Sequence, residues 1–194
     1  MRCISQPRIV VIGSSNTDLV LPLPRLPRPE ESLPEGADAR HAGGKGANQA
    51  VAAARAGAEV TFIGARGEDD FGRAAAGGLE AEGIDIRHFH VIPGTNSGTA
   101  LIFIGADDGQ NMIGVARSAN DHLRASHVHA ASGAFTRAQA ALAQLETPLR
   151  GGDGRRTGGG AGGHSLSAQP SPRVRPSRAQ TPLEMRAHGH TERA

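Results

Sequence analysis

Gly43-Gly44-Lys45-Gly46-Ala47-Asn48-Gln49-Ala50-Val51-Ala52-Ala53-Ala54-Arg55-Ala56-Gly57-Ala58-Glu59-Val60-Thr61-Phe62-Ile63-Gly64 holds a helix, its stop and a strand in one run. Ala47, Ala50, Val51 and Ala54 fall at i, i+3, i+4 and i+7, one apolar face of a helix over Gly46–Ala56. Gly57 is a C-terminal stop, and Val60–Ile63, closed by Gly64, is a buried strand. Upstream, Ile9-Val10-Val11-Ile12 is a β-branched run ending in the turn Gly13-Ser14-Ser15-Asn16. Strand, excursion, helix and strand over residues 8–64 predict a right-handed βαβ unit in a parallel sheet, and so an α/β fold.

Outward from that unit, Asp18–Leu23 is apolar but is followed at once by prolines, with Pro22 already inside it. Proline has no ladder donor, so an edge strand entering an irregular loop is predicted, with Ala37–His41 as its short partner. A second helix runs from after Asp69 to about Glu82 and stops at Gly83, weakened by Gly77-Gly78. Ile84–Ile92 and Thr99–Gly105 read as strands. Asp107-Asp108-Gly109 reads as a hairpin turn into Asn111–Val115. Ala134–Ala140 reads as a short helix and Ala141–Leu145 as a short buried strand ending at Glu146. His127–Phe135 is poor in helix and strand formers.

The 194 residues carry 21 basic and 19 acidic side chains, unevenly placed. Residues 1–150 hold 14 Arg/Lys and 16 Asp/Glu, a balance of −2; residues 151–194 hold 7 Arg and 3 acids, a balance of +4. The body offers no electrostatic reason to bind nucleic acid or an anionic membrane. The absence of Trp and Tyr weakens any stacking platform for bases. One cysteine, Cys3, points to a reducing, cytoplasmic setting. After Leu149 the vocabulary turns to Gly, Arg, Pro, Ser, Thr and His, with Leu166, Val174, Leu183 and Met185 the only large aliphatics. That cannot offset about 1–2 kcal/mol of backbone entropy per residue, so residues 150–194 are expected to be disordered. Of a natural flexible tail and a reading-frame shift in a GC-rich gene, the second accounts better for the abruptness.

Lys45 is the only lysine of the chain, against 20 arginines, and it stands inside a glycine cluster at a helix start. A compact ammonium there suits a site close to backbone. The cluster is not a P-loop, because the first position is Ala39 and Gly46 follows Lys45 where a hydroxyl is needed. It is not a dinucleotide fingerprint either, since the third glycine falls at Gln49. What remains is a helix N-terminus with outward N–H groups, glycines that permit close approach, one cation and the carboxamide of Asn48. Such a site suits a polyhydroxylated small molecule. Asn16 and Asp18 alternate on one side of an extended segment after the first strand, spaced to grip vicinal hydroxyls.

In this order the motifs resemble the ribokinase type of PfkB carbohydrate kinases: Gly13–Asp18, Gly43–Ala54, Gly64–Gly72 and Gln144-Leu145-Glu146-Thr147-Pro148-Leu149. The resemblance covers residues 8–149. It implies a Rossmann-like three-layer α/β sandwich with a small β-sheet lid, and ATP-dependent phosphorylation of a sugar hydroxyl, D-ribose to D-ribose 5-phosphate. It makes Asn16, Asp18, Gly44, Lys45, Gly46, Ala47, Asn48 and Glu146 the substrate-binding residues. It also implies ATP, Mg2+ and a monovalent cation such as K+ as cofactors, and a homodimer formed through the lid. The chain departs from the family pattern in the weak stretch His127–Phe135 and in two further places. Ser118-Ala119-Asn120 stands where the family has Gly-Ala-Asn. The second family signature, Asp-Thr-x-Gly-Ala-Gly-Asp, which supplies the anion hole and the aspartate base, has no counterpart; Arg156–His164 has glycines but no aspartate. The expectation is therefore a chain that keeps the sugar site and is truncated before the nucleotide half, inactive alone. A non-catalytic sugar-binding or dimerisation module is the alternative, and a nucleic-acid-binding tail rests only on seven arginines.

Overall fold

The computed structural model describes residues 6–33, 37–107, 109–144, 146–148 and, as backbone, 166–169. In chain order the elements are β1 (Arg8–Ile12), β2 (Asn16–Leu23), β3 (Ala39–Gly43), α1 (Lys45–Arg55), β4 (Glu59–Arg66), α2 (Asp70–Ala81), β5 (Asp85–Val91), β6 (Gly98–Gly105), β7 (Asn111–Ala116), a 3-10 turn (Ser118–His122), α3 (Ala125–Ala130), α4 (Ser132–Arg137), β8 (Ala140–Gln144) and β9 (Leu166–Gln169). Two sheets form. The larger is parallel throughout, in the order β5-β4-β1-β8-β9.

A parallel sheet needs cover on both faces, and the alternation along β1 provides it. Val10 and Ile12 join Ile63, Ala65, Ala141 and Ala143 on one face, under Leu123, Ala131 and Ala138. Val11 joins Val60 and Phe62 on the other, under Ala47 and Ala50 of α1 and Ala76 and Leu79 of α2. Phe62 meets Phe89 edge-to-face at 5.3 Å. The result is the expected three-layer α/β sandwich. Its βαβ unit is β1-α1-β4, with Ile9 opposite Val60 and Ile12 opposite Ile63.

Both long helices end in a Schellman arrangement. Gly57 and Ala58 donate to Ala54 O and Ala53 O at 2.9 and 3.1 Å, and Gly57 has φ 92°. Gly83 and Ile84 donate to Glu80 O and Leu79 O at 2.9 and 3.2 Å, with Gly83 at φ 72°. Asp69 caps α2: its Oδ1 accepts the Gly72 N–H at 2.8 Å and the Ser97 hydroxyl at 2.6 Å, and its Oδ2 accepts the Ser97 N–H at 2.7 Å. This cap ties α2 to the start of β6.

The smaller sheet, β3-β2-β6-β7, is the lid. It corrects the reading of β2 as an edge strand. Over Asn16–Val20 the strand is paired on both sides, antiparallel to β3 and parallel to β6. Only Leu21–Leu23 run beyond β3, and Pro22 lies in that stretch, where one side needs no donor. Three further expectations shift. β4 continues through Gly64 to Arg66 instead of closing there. The helix expected at Ala134–Ala140 is α4, Ser132–Arg137, because Ala140 already pairs with Ile9 in β8. The weak stretch from His127 carries most of α3, held by a local cap and one tertiary stack: His127 Nδ1 accepts the Arg124 N–H at 3.1 Å and its ring stacks on His90 at 4.4 Å. Burial lowers the pKa of both rings, as an accepting, neutral imidazole requires.

Of residues 150–194, the expected disorder and frameshift fall outside the described residues except at 166–169. There the backbone is a strand, β9, against the composition. The open edge of β8 presents ladder groups that a parallel neighbour satisfies, with Ala141 opposite Leu166. Among the described residues no helix is long and apolar enough to cross a membrane.

The Asp69 cap makes stability depend on acid. Burial pushes this carboxyl up, but bonds from the Ser97 side chain and from the Ser97 and Gly72 N–H groups outweigh it and hold its pKa below the ordinary value. A depressed pKa stabilises the fold above the unfolded value, and that stabilisation is lost as pH falls through the folded one. Asp69→Ala should cost about 1 kcal/mol in urea unfolding at pH 7. The gap from the parent chain should narrow below pH ~4.

Candidate functional site

The site begins with a close backbone approach. The first turn of α1 abuts the carboxyl end of β1, where Ala47 N–H donates to Ser14 O at 3.0 Å. A Cβ on Gly46 would stand 2.6 Å from the Cα and carbonyl carbon of Gly13. One on Gly44, which has φ 92°, would stand 2.7 Å from Ser15 Cα and 2.8 Å from Asn16 N. Only glycine fits either place. A Cβ on Gly43 would displace the Asp18 carboxylate, so this glycine lets the carboxylate lie against the main chain.

This junction gathers the polar side chains. Lys45 Nζ lies 2.6 Å from Glu146 Oε1, and the Ser14 hydroxyl donates to Glu146 Oε2 at 3.0 Å. Glu146 follows β8, which neighbours β1, so strand order brings residues 14, 45 and 146 together across 132 positions of sequence. Lys45 and Glu146 are 46% and 33% exposed on their side chains, so the pair adds little stability and remains reachable from solvent. Asp18 sits in β2 opposite His41 and beside the Gly43 turn. Burial raises its pKa, and the charge of His41 offsets part of the rise.

Asn120, 2% exposed, closes the back of the site. Its Oδ1 accepts the Ser15 N–H at 3.0 Å, and its Nδ2 donates to Ser15 O at 3.1 Å and to Asn16 Oδ1 at 2.9 Å. An open cleft of about 350 Å³ is lined by Ser14, Asn16, Val115, Arg117, Asn120 and Glu146. Val115 is the lid's contribution, from β7.

The predicted residues fall into three groups. Asn16 and Glu146 line the cleft, and Lys45 reaches it through its contact with Glu146. Asp18 and Gly44 flank the same turn. Gly46 and Ala47 are buried in the helix–strand junction, and Asn48 is exposed in the first turn of α1. Ser14, Arg117 and Asn120 complete the cleft beyond the residues that the sequence singles out, and the buried carboxamide of Asn120 has no local signal among its polar neighbours Ser118, Asp121 and His122. For divalent metal, no cluster of three or more His, Cys, Asp or Glu side chains exists among the described residues.

Comparison with known proteins follows this geometry. The profile of the pfkB family carbohydrate kinases matches residues 6–149. The chain belongs to that family. It is 40% identical over 144 residues to ribokinase of Haemophilus influenzae, covering 74% of this chain and 46% of that protein. It is 37% identical over 140 residues to ribokinase of Bacillus subtilis, covering 72% and 47%. Among solved structures, ribokinase from Giardia lamblia superposes with TM-score 0.67 at 32% identity, covering 74% of this chain and 43% of that one. Arabidopsis thaliana ribokinase, complexed with ribose and ATP, gives TM-score 0.64 at 29% identity, covering 74% and 46%. The chain therefore spans about half the length of the relatives it matches.

Within the pfkB kinase family frame, Ser118 is a local cost. It has φ 45°, in the left-handed region where a Cβ is crowded. It opens the 3-10 turn that carries Asn120. Ser118→Gly should raise stability by about 0.5 to 1 kcal/mol, the relief of strain less the added freedom of the unfolded chain. The urea midpoint should rise with an unchanged slope; an unchanged or lower midpoint would count against strain here.

Proposed function

We propose that this chain is the sugar-holding portion of a ribokinase-type kinase and that its ligand is a ribose-like sugar. The observation that carries the reading is the meeting of Asn16 and Glu146 at one open cleft, with Lys45 on Glu146 and Asp18 in β2 against the Gly43 backbone. These groups offer amide, ammonium and carboxylate partners in a space of about 350 Å³, enough for a pentose. Gly44 and Asn48 add contacts at the helix start. Gly46 and Ala47 supply the platform that fixes that start against β1. Each sugar hydroxyl is both donor and acceptor, so a mixed set of acceptors and donors suits it. The resemblance to a ribokinase solved with ribose supports this choice of ligand.

Phosphoryl transfer needs the acceptor hydroxyl positioned, a base to take its proton, and charge stabilisation at the transferring group. The described residues address the first need. ATP, Mg2+ and K+ belong to the family reading, supported for nucleotide by the relatives solved with ADP or ATP. No stretch of this sequence matches the Asp-Thr-x-Gly-Ala-Gly-Asp signature. On this reading the polypeptide positions the sugar and has no kinase turnover of its own. The lid supports a homodimer. By the β6–β7 register the half-exposed Leu101 and Met112 share one face of the lid, opposite the face of Val115 that meets the cleft, and a second copy would cover that Leu101–Met112 face. A reducing cytoplasm is the setting that the single cysteine supports.

Calorimetry of the 194-residue chain with D-ribose should show saturable binding, weakened at least tenfold by Asn16→Ala or Asp18→Ala. The carboxylate of Asp18 is the accepting form, and its pKa is raised. Affinity should therefore fall as pH drops through a value above the ordinary 3.8, and Asp18→Asn should abolish that limb. ATP-dependent phosphorylation of ribose should stay at background. Absence of ribose binding, or turnover near that of an intact relative, would contradict the reading.

A further inference from the structure

We infer that Asn120 is a positioning residue which sets the amide of Asn16 so that it presents donors, and only donors, to the cleft. Hydrogen-bond polarity forces this arrangement. A backbone N–H can only donate and a backbone C=O can only accept. Asn120 is clamped between both groups of one residue: Ser15 N–H lies 3.0 Å from its Oδ1, and Ser15 O lies 3.1 Å from its Nδ2. Reversing the Asn120 amide would place donor against donor and acceptor against acceptor, so its orientation is fixed by main chain.

One Nδ2 hydrogen of Asn120 serves Ser15 O, and the other faces Asn16 at 2.9 Å. Asn16 must answer with its oxygen. Its Nδ2, with two hydrogens, is then the polar group it brings to the cleft it lines. Gly98, at the start of β6, keeps the path open. A Cβ there would overlap both Asn16 Oδ1 and Asn120 Nδ2, so any side chain would part the two amides. Burial strengthens the constraint: Asn120 is 2% exposed, and water cannot substitute for a lost partner.

The consequence is a specificity rule that rests on the sugar-binding reading. The ligand atom opposite Asn16 must accept a hydrogen bond, while the atom opposite the Asp18 carboxylate must donate one. Two hydroxyls held this way have their hydrogen directions assigned before the ligand arrives.

The test uses the ¹⁵N-labelled 194-residue chain and D-ribose. In the parent protein the Asn120 side-chain amide hydrogens should exchange slowly with solvent. Those of Asn16 should exchange fast and shift on adding ribose. In Asn120→Asp a second carboxylate oxygen replaces the donor, so Asn16 turns over. Its side-chain resonances should move and ribose affinity should fall at least tenfold. In an Asn16→Ala background the same substitution should change affinity less than twofold, which a merely structural role would not produce. Unmoved Asn16 resonances in Asn120→Asp, or an equal loss of affinity with and without Asn16, would overturn the inference. Should Asn120→Asp fail to fold, the exchange order in the parent decides: slow Asn16 and fast Asn120 overturns it. Should the parent take up no ribose, the sugar reading falls, and the exchange order still decides the relay.

Discussion

The approach of Gly46 to Gly13 is the contact on which the rest of the molecule depends. Two backbones meet where side chains would keep them apart, and the start of α1 is thereby seated on the carboxyl end of β1. From that seat every functional placement follows. Gly44 lies against Ser15 and Asn16, Lys45 extends to Glu146, and the Ala47 N–H engages Ser14 O. The sheet supplies rigidity by burying both faces, so the junction is held by elements that cannot drift independently. An open α/β sheet places ligands at the carboxyl ends of its strands, and here strand order puts residue 146 beside residue 14.

The fold was legible where local physics and tertiary packing agree. The periodicity at Ala47, Ala50, Val51 and Ala54 marks α1, and Gly57 and Gly83 adopt the positive φ that their positions as stops require. Asp69 caps the helix that its acidic cluster announced. Reading failed where long-range pairing overrides composition. β2 holds Pro22 near one end yet is interior at the other, because only the sheet decides which of its residues need a donor on both sides. α3 forms from weak helix formers because His127 is both a cap and a stacking partner for His90. β9 forms beside an edge that no local pattern in 166–169 reveals.

The site was legible in its charged and glycine-rich parts and hidden in its supports. Lys45 stood out because the chain uses arginine elsewhere. Asn16 and Asp18 stood out by alternation. Asn120 did not, since a buried carboxamide earns its place only through partners 104 and 105 positions away. Asn16, which lines the cleft, and Asn120, which is clamped behind it, are the same residue type, and only the polarity of main chain around Ser15 tells them apart. Membership of the pfkB family fixes the kind of fold.

Calorimetric titration of D-ribose into Gly46→Ala tests the central claim most directly. Alanine is the better helix former by about 1 kcal/mol, so the change favours α1 itself and acts against the junction alone. The account predicts a native far-UV circular dichroism spectrum with ribose affinity reduced at least tenfold, as the helix start is pushed away from β1. Affinity within twofold of the parent chain would contradict it.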